Sequence, residues 1–101
     1  MAYNPTSDIY AQRSTPVASP ARNAMAITKS DTVDLSPYAK GIYVGGTGDV
    51  IVIMVNDYEQ NGDSATPIKF ASVPAGTVLP IQVARVMSTN TSATNMVALV
   101  D

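Results

Sequence analysis

Residues 41–55 read GIYVGGTGDVIVIMV, and the fold turns on whether their glycines form a phosphate cradle or a turn between strands. A phosphate loop needs glycines that let successive backbone N–H groups converge on an anion, followed at once by a helix whose positive end faces the ligand. Behind Gly48 stand Asp49 and then Val50, Ile51, Val52, Ile53, Met54 and Val55. β-Branched side chains lose rotamer freedom in a helix and pack well on a pleated surface, so this run reads as a strand buried on both faces. The glycine spacing also fits neither nucleotide pattern: no Lys-Ser or Lys-Thr follows Gly48, and G-x-G-x-x-G is absent. Gly45, Gly46 and Gly48 are therefore expected to frame a β-hairpin between strands at 41–44 and 50–55.

Working outward, the same pattern of short strands and turns continues. Upstream, AMAIT (24–28) is short and apolar, and KSDTVDLSPYAK (29–40) is a connecting loop marked by Ser30, Asp31, Asp34 and Pro37. Downstream, NDYEQNGDSATP (56–67) imitates the first half of a calcium loop. In a loop that begins at Asp57 the twelfth position is Ile68 where a bidentate Glu would be needed, so the expected structure is an exposed loop with an Asn61-Gly62 turn. IKFASV (68–73) alternates, with Ile68, Phe70 and Ser72 on one face and Lys69, Ala71 and Val73 on the other. Pro74 and Gly76 make the next turn, with the proline expected at its second position. VLPIQVARVM (78–87) reads as one strand whose Pro80 requires an edge or a bulge, STNTSAT (88–94) as a polar turn, and NMVALV (95–100) as the last strand. No helix longer than a turn or two is suggested.

Residues 1–22, MAYNPTSDIYAQRSTPVASPAR, have a different character. Pro5, Pro16 and Pro20 interrupt any helix or central strand, and neither structural period persists. The expected organisation is an extended arm over 1–22 and a β domain over 23–101. Tyr3, Ile9, Tyr10 and Val17 are spaced anchors that a solvated tail has little reason to carry, so the arm is expected to dock, either on its own domain or on a neighbouring subunit.

Composition removes whole classes of chemistry. The chain has no cysteine and no histidine, so thiol nucleophiles, imidazole bases and the usual zinc ligands are missing. Its eight acids, spread from Asp8 to Asp101, form no evident constellation, and the expectation is a non-enzyme without metal or cofactor. Six scattered cations and a net charge of −2 offer no basic patch for nucleic acid. The run from Val50 to Val55 is far too short to cross a bilayer, and no signal peptide is recognisable, so synthesis in the cytoplasm is expected.

About six short strands joined by Gly, Pro and Asn turns argue for a β-sandwich or a small barrel. The expected fold class is all-β: a small antiparallel β-sandwich, jelly-roll-like, with an extended N-terminal arm. Without the arm 79 residues remain, and a domain of that size buries only about 60 to 65% of its unfolded surface. Homo-oligomerisation is the expected remedy.

Together, AITKSDTVDL, KGIYVGGTGDVIVIM, IKFASVPAGTVLPIQVARV and TSATNMVALV resemble the head spike base proteins of tailed phages and of phage-derived gene transfer agents. The most specific element is the pairing of YVGGTGDV with the later VPAGTVLPIQVARV, and the likeness covers residues 24–100. The resemblance implies a structural virion protein on the outer surface of the head. It implies a subunit, pentameric at the capsid vertices, that binds the major capsid protein and carries a head fibre protein. On that reading the arm anchors Tyr3, Ile9, Tyr10 and Val17 contact the capsid or a neighbouring copy. Two other classes suit the same residues: a capsid decoration or cement protein elsewhere on the head, and a carbohydrate-binding β-sandwich module using Tyr38 and Tyr43.

Overall fold

The computed structural model describes residues 3–8 and 16–101. Seven strands are described: β1 (Asn23–Ala26), β2 (Gly41–Val44), β3 (Gly48–Met54), β4 (Ile68–Val73), β5 (Thr77–Leu79), β6 (Val83–Val86) and β7 (Val97–Val100). They form two antiparallel sheets, one ordered β1-β7-β2-β5 and the other β4-β3-β6. The β-run at the centre of the opening stretch behaves as its side chains require. Val50 and Val52 point into the sandwich with no exposed surface, and Ile53, on the opposite face, is also buried. Ile42 and Val44 face them from β2 in the other sheet, and Val83 and Val86 of the neighbouring β6 are buried beside them. Each such side chain contributes on the order of 2 kcal/mol relative to leaving it in water, which is how the fold stands without disulfides.

The sheet order is that of a jelly roll with one strand of the smaller sheet replaced by a loop. In the complete arrangement a strand between β1 and β2 would pair with the outer edge of β6. Here residues 27–40 run along that edge and satisfy it at intervals. Ser30 N donates to Val86 O (2.9 Å), Leu35 N to Ala84 O (2.8 Å), and Ala39 and Val83 exchange two bonds of 3.0 Å. Leu35 and Ala39 drop into the core. Asp31, Asp34, Ser36 and Pro37 prevent a regular strand, and the edge is covered without one.

Residues 41–55 do not make a hairpin. β2 pairs with β5 and β7, whereas β3 pairs with β4 and β6, so Gly45 to Thr47 form a corner where the chain passes from one sheet to the other. The glycines serve close approach rather than turn dihedrals. A Cβ on Gly46 would sit 1.9 Å from Thr94 Oγ1, one on Gly45 2.5 Å from Asn95 O, and one on Gly48 2.5 Å from Ala93 N. Gly46 exchanges backbone hydrogen bonds with Thr94 (2.7 and 3.2 Å), and Gly45 N donates to Asn95 O (3.1 Å). Where β6 stops, side chains take over the edge of β3: Thr91 Oγ1 accepts from Ile51 N (3.1 Å) and Ser92 Oγ from Asp49 N (2.9 Å).

Three further segments differ from the sequence reading. VLPIQVARVM splits at Pro80 into β5 and β6, which belong to different sheets; a residue without an N–H falls between the ladders. The segment 56–67 is largely helical, with α1 (Val55–Asn61) followed by a 3-10 turn (Gly62–Ser64). Asp57 sits in the first helical turn, accepts from Asn61 Nδ2 (2.7 Å) and reaches Thr66 N (2.8 Å), tying both ends of the segment. In β4, Ser72 has φ +53°, and Ala71 and Ser72 together oppose Asp49. That bulge shifts the alternation, so Val73 is the buried partner of Phe70 where Ser72 was expected. The following turn does use Pro74 and Gly76: Thr77 N donates to Pro74 O (3.3 Å) and Gly76 has φ +85° at the third position. Pro74 opens the turn instead of occupying its second position.

Candidate assembly surfaces

The two sheets present opposite outer faces with different chemistry. Along the smaller sheet, outward positions carry Asp49, Ile51, Ile53, Lys69 and Arg85. Lys69 Nζ lies 3.4 Å from Asp49, whose other oxygen accepts from Ser72 N (2.8 Å). The Ser72 N–H first, and Lys69 second, hold the Asp49 carboxyl below its ordinary pKa. Arg85 reaches Asp34 with bonds of 2.8 Å, donates to Asp31 O (3.0 Å), and lies 5.6 Å from the ring centre of Tyr58. Tyr58 meets Tyr38 edge-on at 6.4 Å. Burial opposes the charge on Arg85, but Asp34 outweighs it and raises the guanidinium pKa; the same carboxylate, as hydrogen-bond partner, raises Tyr58. Asp31 accepts from Ser88 N and Thr89 N (both 2.9 Å) and from the Thr89 hydroxyl (2.5 Å), which leads the lowering of its pKa. This face is closed by its own chain.

Among the described residues, the outer face of the larger sheet is bare. Its outward side chains are Ala24 and Ala26 of β1, Val97 and Leu99 of β7, Tyr43 of β2 and Val78 of β5. Tyr43 is 39% and Val78 51% exposed. Not one of the six is charged. This surface was missed in the sequence reading, although its signal was present: AMA and VALV lack the polar residue at every second position that a water-facing sheet carries.

Of the arm anchors, Tyr3 is 68% exposed and donates its hydroxyl to Asp8 (2.7 Å), which is also ion-paired with Arg22. That hydrogen bond to Asp8 raises the Tyr3 pKa. Val17 and Ala18 line a cleft of about 660 Å3 beside Lys40, Met54, Pro80 and Ile81, while Val17 stays 54% exposed. Arg22 N donates to Asp101 O (3.1 Å), seating the end of the arm beside the end of β7. Ile9 and Tyr10 lie outside the described residues. Tyr38 and Tyr43 do not come together: Tyr43 stands on the bare sheet, and Tyr38 packs on Tyr58 beside the smaller one.

Among the described residues, no helix is long and apolar enough to cross a membrane. No protein-family model and no curated protein matches the chain. Among solved structures, it is similar to a chain in the capsid of a native gene transfer agent particle computed with C5 symmetry. The two are 27% identical and superpose with a TM-score of 0.75, over 90% of this chain and 96% of the other. That chain belongs to a capsid assembly.

Proposed function

We propose that this protein is a structural virion component, a head spike base subunit that sits at the capsid vertices and supports a fibre. The observation that carries the reading is the likeness to a gene transfer agent capsid chain, which extends over nearly the whole length of both molecules. A jelly roll with one outer face closed by its own side chains and the other left apolar suits a subunit built to be covered. Five copies around a vertex are the arrangement favoured here, a closed cyclic ring in which every subunit makes the same contacts. The arm over residues 1–22 grips the major capsid protein or the next copy, with Tyr3 and Val17 the exposed anchors among the described residues. Five such contacts engaged at once convert weak individual affinities into lasting attachment.

Deleting residues 1–22 tests this directly. The truncated protein is expected to keep its β-sheet circular dichroism and to stop co-sedimenting with purified heads. Heads that retain it undiminished would contradict the arm's role. Retention of the full-length protein by a glycan array, with no binding to heads, would favour the carbohydrate-binding alternative.

A further inference from the structure

The Asn61-Gly62 pair, expected as an exposed turn, closes α1 instead. Asn61 is the only asparagine in the chain that is followed by glycine. Asparagine side-chain amides are thermally labile, because the next backbone nitrogen can attack Cγ. A following glycine leaves that nitrogen unhindered, since it has no Cβ and tolerates the rotations that ring closure needs. The approach is open here as well: Asn61 is exposed, and a Cβ on Gly62 would meet nothing within 4 Å.

The folded chain opposes this reaction at three points. Gly62 N–H donates to Tyr58 O in the last turn of α1, so the attacking nitrogen is engaged. The Asn61 ψ of −6° turns that nitrogen away from the side chain. The side-chain amide donates from Nδ2 to Asp57 Oδ1 (2.7 Å), and the other Asp57 oxygen accepts from Thr66 N (2.8 Å) across the segment. These restraints are shallow. α1 has seven residues, none of them buried, and a helix of two turns without a packed face frays readily.

We propose that Asn61 is a modification site, converted without an enzyme to aspartate and isoaspartate, and that the Asp57 clasp sets how fast. When the last turn of α1 opens, the Gly62 nitrogen gives its proton to solvent and bonds to Asn61 Cγ. The Cγ–Nδ2 bond breaks, Nδ2 takes up a proton and leaves as ammonia, and a cyclic imide remains. Water then adds to one of the two imide carbonyls. Opening at Cγ gives aspartate, and opening at the main-chain carbonyl gives isoaspartate, whose backbone runs through Cγ. Nothing is oxidised or reduced: an amide and water become a carboxylate and ammonium.

The product weakens its own surroundings. It adds one negative charge to a chain whose formal net charge is −2, and sets a second carboxylate four residues from Asp57, a like-charged helical pair. That charge also falls at the end of α1 where the helix dipole is negative. Because the reaction runs one way, converted copies with a loosened α1 accumulate with age.

The test incubates the purified full-length protein in mildly alkaline buffer and reads tryptic peptides by fragmentation mass spectrometry, with isoaspartyl methyltransferase labelling the isoaspartate. The peptide from Gly41 to Lys69 also contains Asn56, followed by Asp57, as an internal comparison. Conversion is expected at Asn61 and not at Asn56, more slowly than in the urea-unfolded chain. Asp57→Ala removes two hydrogen bonds and is expected to accelerate it about tenfold. Gly62→Ala is expected to leave Asn61 intact over the same period, and Asn61→Asp to raise amide hydrogen exchange at Gly62 about threefold. An Asn61 that stays intact in the folded native and Asp57→Ala proteins while it converts in urea would overturn the site. Equal rates in the native and Asp57→Ala proteins would overturn the clasp, and undiminished conversion in Gly62→Ala would overturn attack by the Gly62 nitrogen.

Discussion

The two outer faces of this sandwich have similar backbones and opposite fates. On the smaller sheet, charged side chains stand outward, find partners on residues 31–34 and on α1, and seal an apolar strand beneath them; Ile53 is 4% exposed. On the larger sheet nothing charged stands outward, and among the described residues Tyr43 and Val78 stay exposed. Residues 27–40 run along the edge of the smaller sheet and α1 contributes Tyr58 beside Arg85, whereas the outward positions of the larger sheet are apolar and carry the exposed Tyr43 and Val78. The smaller sheet's outer face, with its ion pairs and hydrogen bonds, therefore contributes more to the stability of the subunit than the larger sheet's does.

The comparison depends on the corner that joins the sheets, and breaking it should have the largest effect. Gly46→Val adds a side chain where even a Cβ would overlap Thr94 Oγ1, so the corner has to open. The expected loss is about 3 kcal/mol, read as a lower urea midpoint at unchanged slope. Next, Val52→Ala empties space between the two sheets and should cost about 2 kcal/mol without touching either outer face.

Substitutions on the faces themselves sharpen the contrast. Arg85→Leu removes the ion pair with Asp34 and the bond to Asp31 O, and should destabilise the monomer by roughly 1 kcal/mol after allowance for partial solvent screening. Tyr43→Ser, at an equally outward position, should change monomer stability by less than about 0.5 kcal/mol. Equal losses in urea titrations of the two variants would erase the distinction between the faces.

Acid should act on one side only. The folded-state pKa values of Asp31 and Asp49 lie below those of the unfolded chain. Their stabilisation is therefore fully present above the ordinary carboxylate pKa, near 3.9, and is lost as the pH falls through the lower folded values. Asp31→Asn should flatten the acid limb of a melting-temperature profile. The larger sheet has no carboxyl among its outward side chains, so Tyr43→Ser should leave that limb unchanged.

Local patterns were legible in the sequence where each residue's own chemistry decides the outcome. The run 50–53 read as a strand, and Val50, Val52 and Ile53 are buried in it; Pro74 and Gly76 read as a turn, where Gly76 takes a positive φ; and the all-β class followed from turn spacing. Pairing was not legible. Gly45, Gly46 and Gly48 look the same whether the chain doubles back within a sheet or crosses to another, because their requirement comes from Ala93 to Asn95, almost fifty residues downstream. Pro80 announced an interruption without revealing that the strands on its two sides part company. The helix at Val55–Asn61 was hidden by Asn and Asp, which favour turns unless a tie such as Asp57 to Thr66 closes the segment. The arm anchors were chosen on spacing alone. The bare face was available in AMA and VALV, but it became visible as a surface only once register set those strands beside Tyr43 and Val78.

The central claim is that this chain is a capsid subunit at the vertices, and cryo-electron microscopy of particles from cells expressing it, with the vertices reconstructed under C5 symmetry, tests it most directly. Five copies around each vertex, with residues 1–22 on the capsid, are expected. Vertices without this chain, or its density confined to sites between capsomers, would contradict the account.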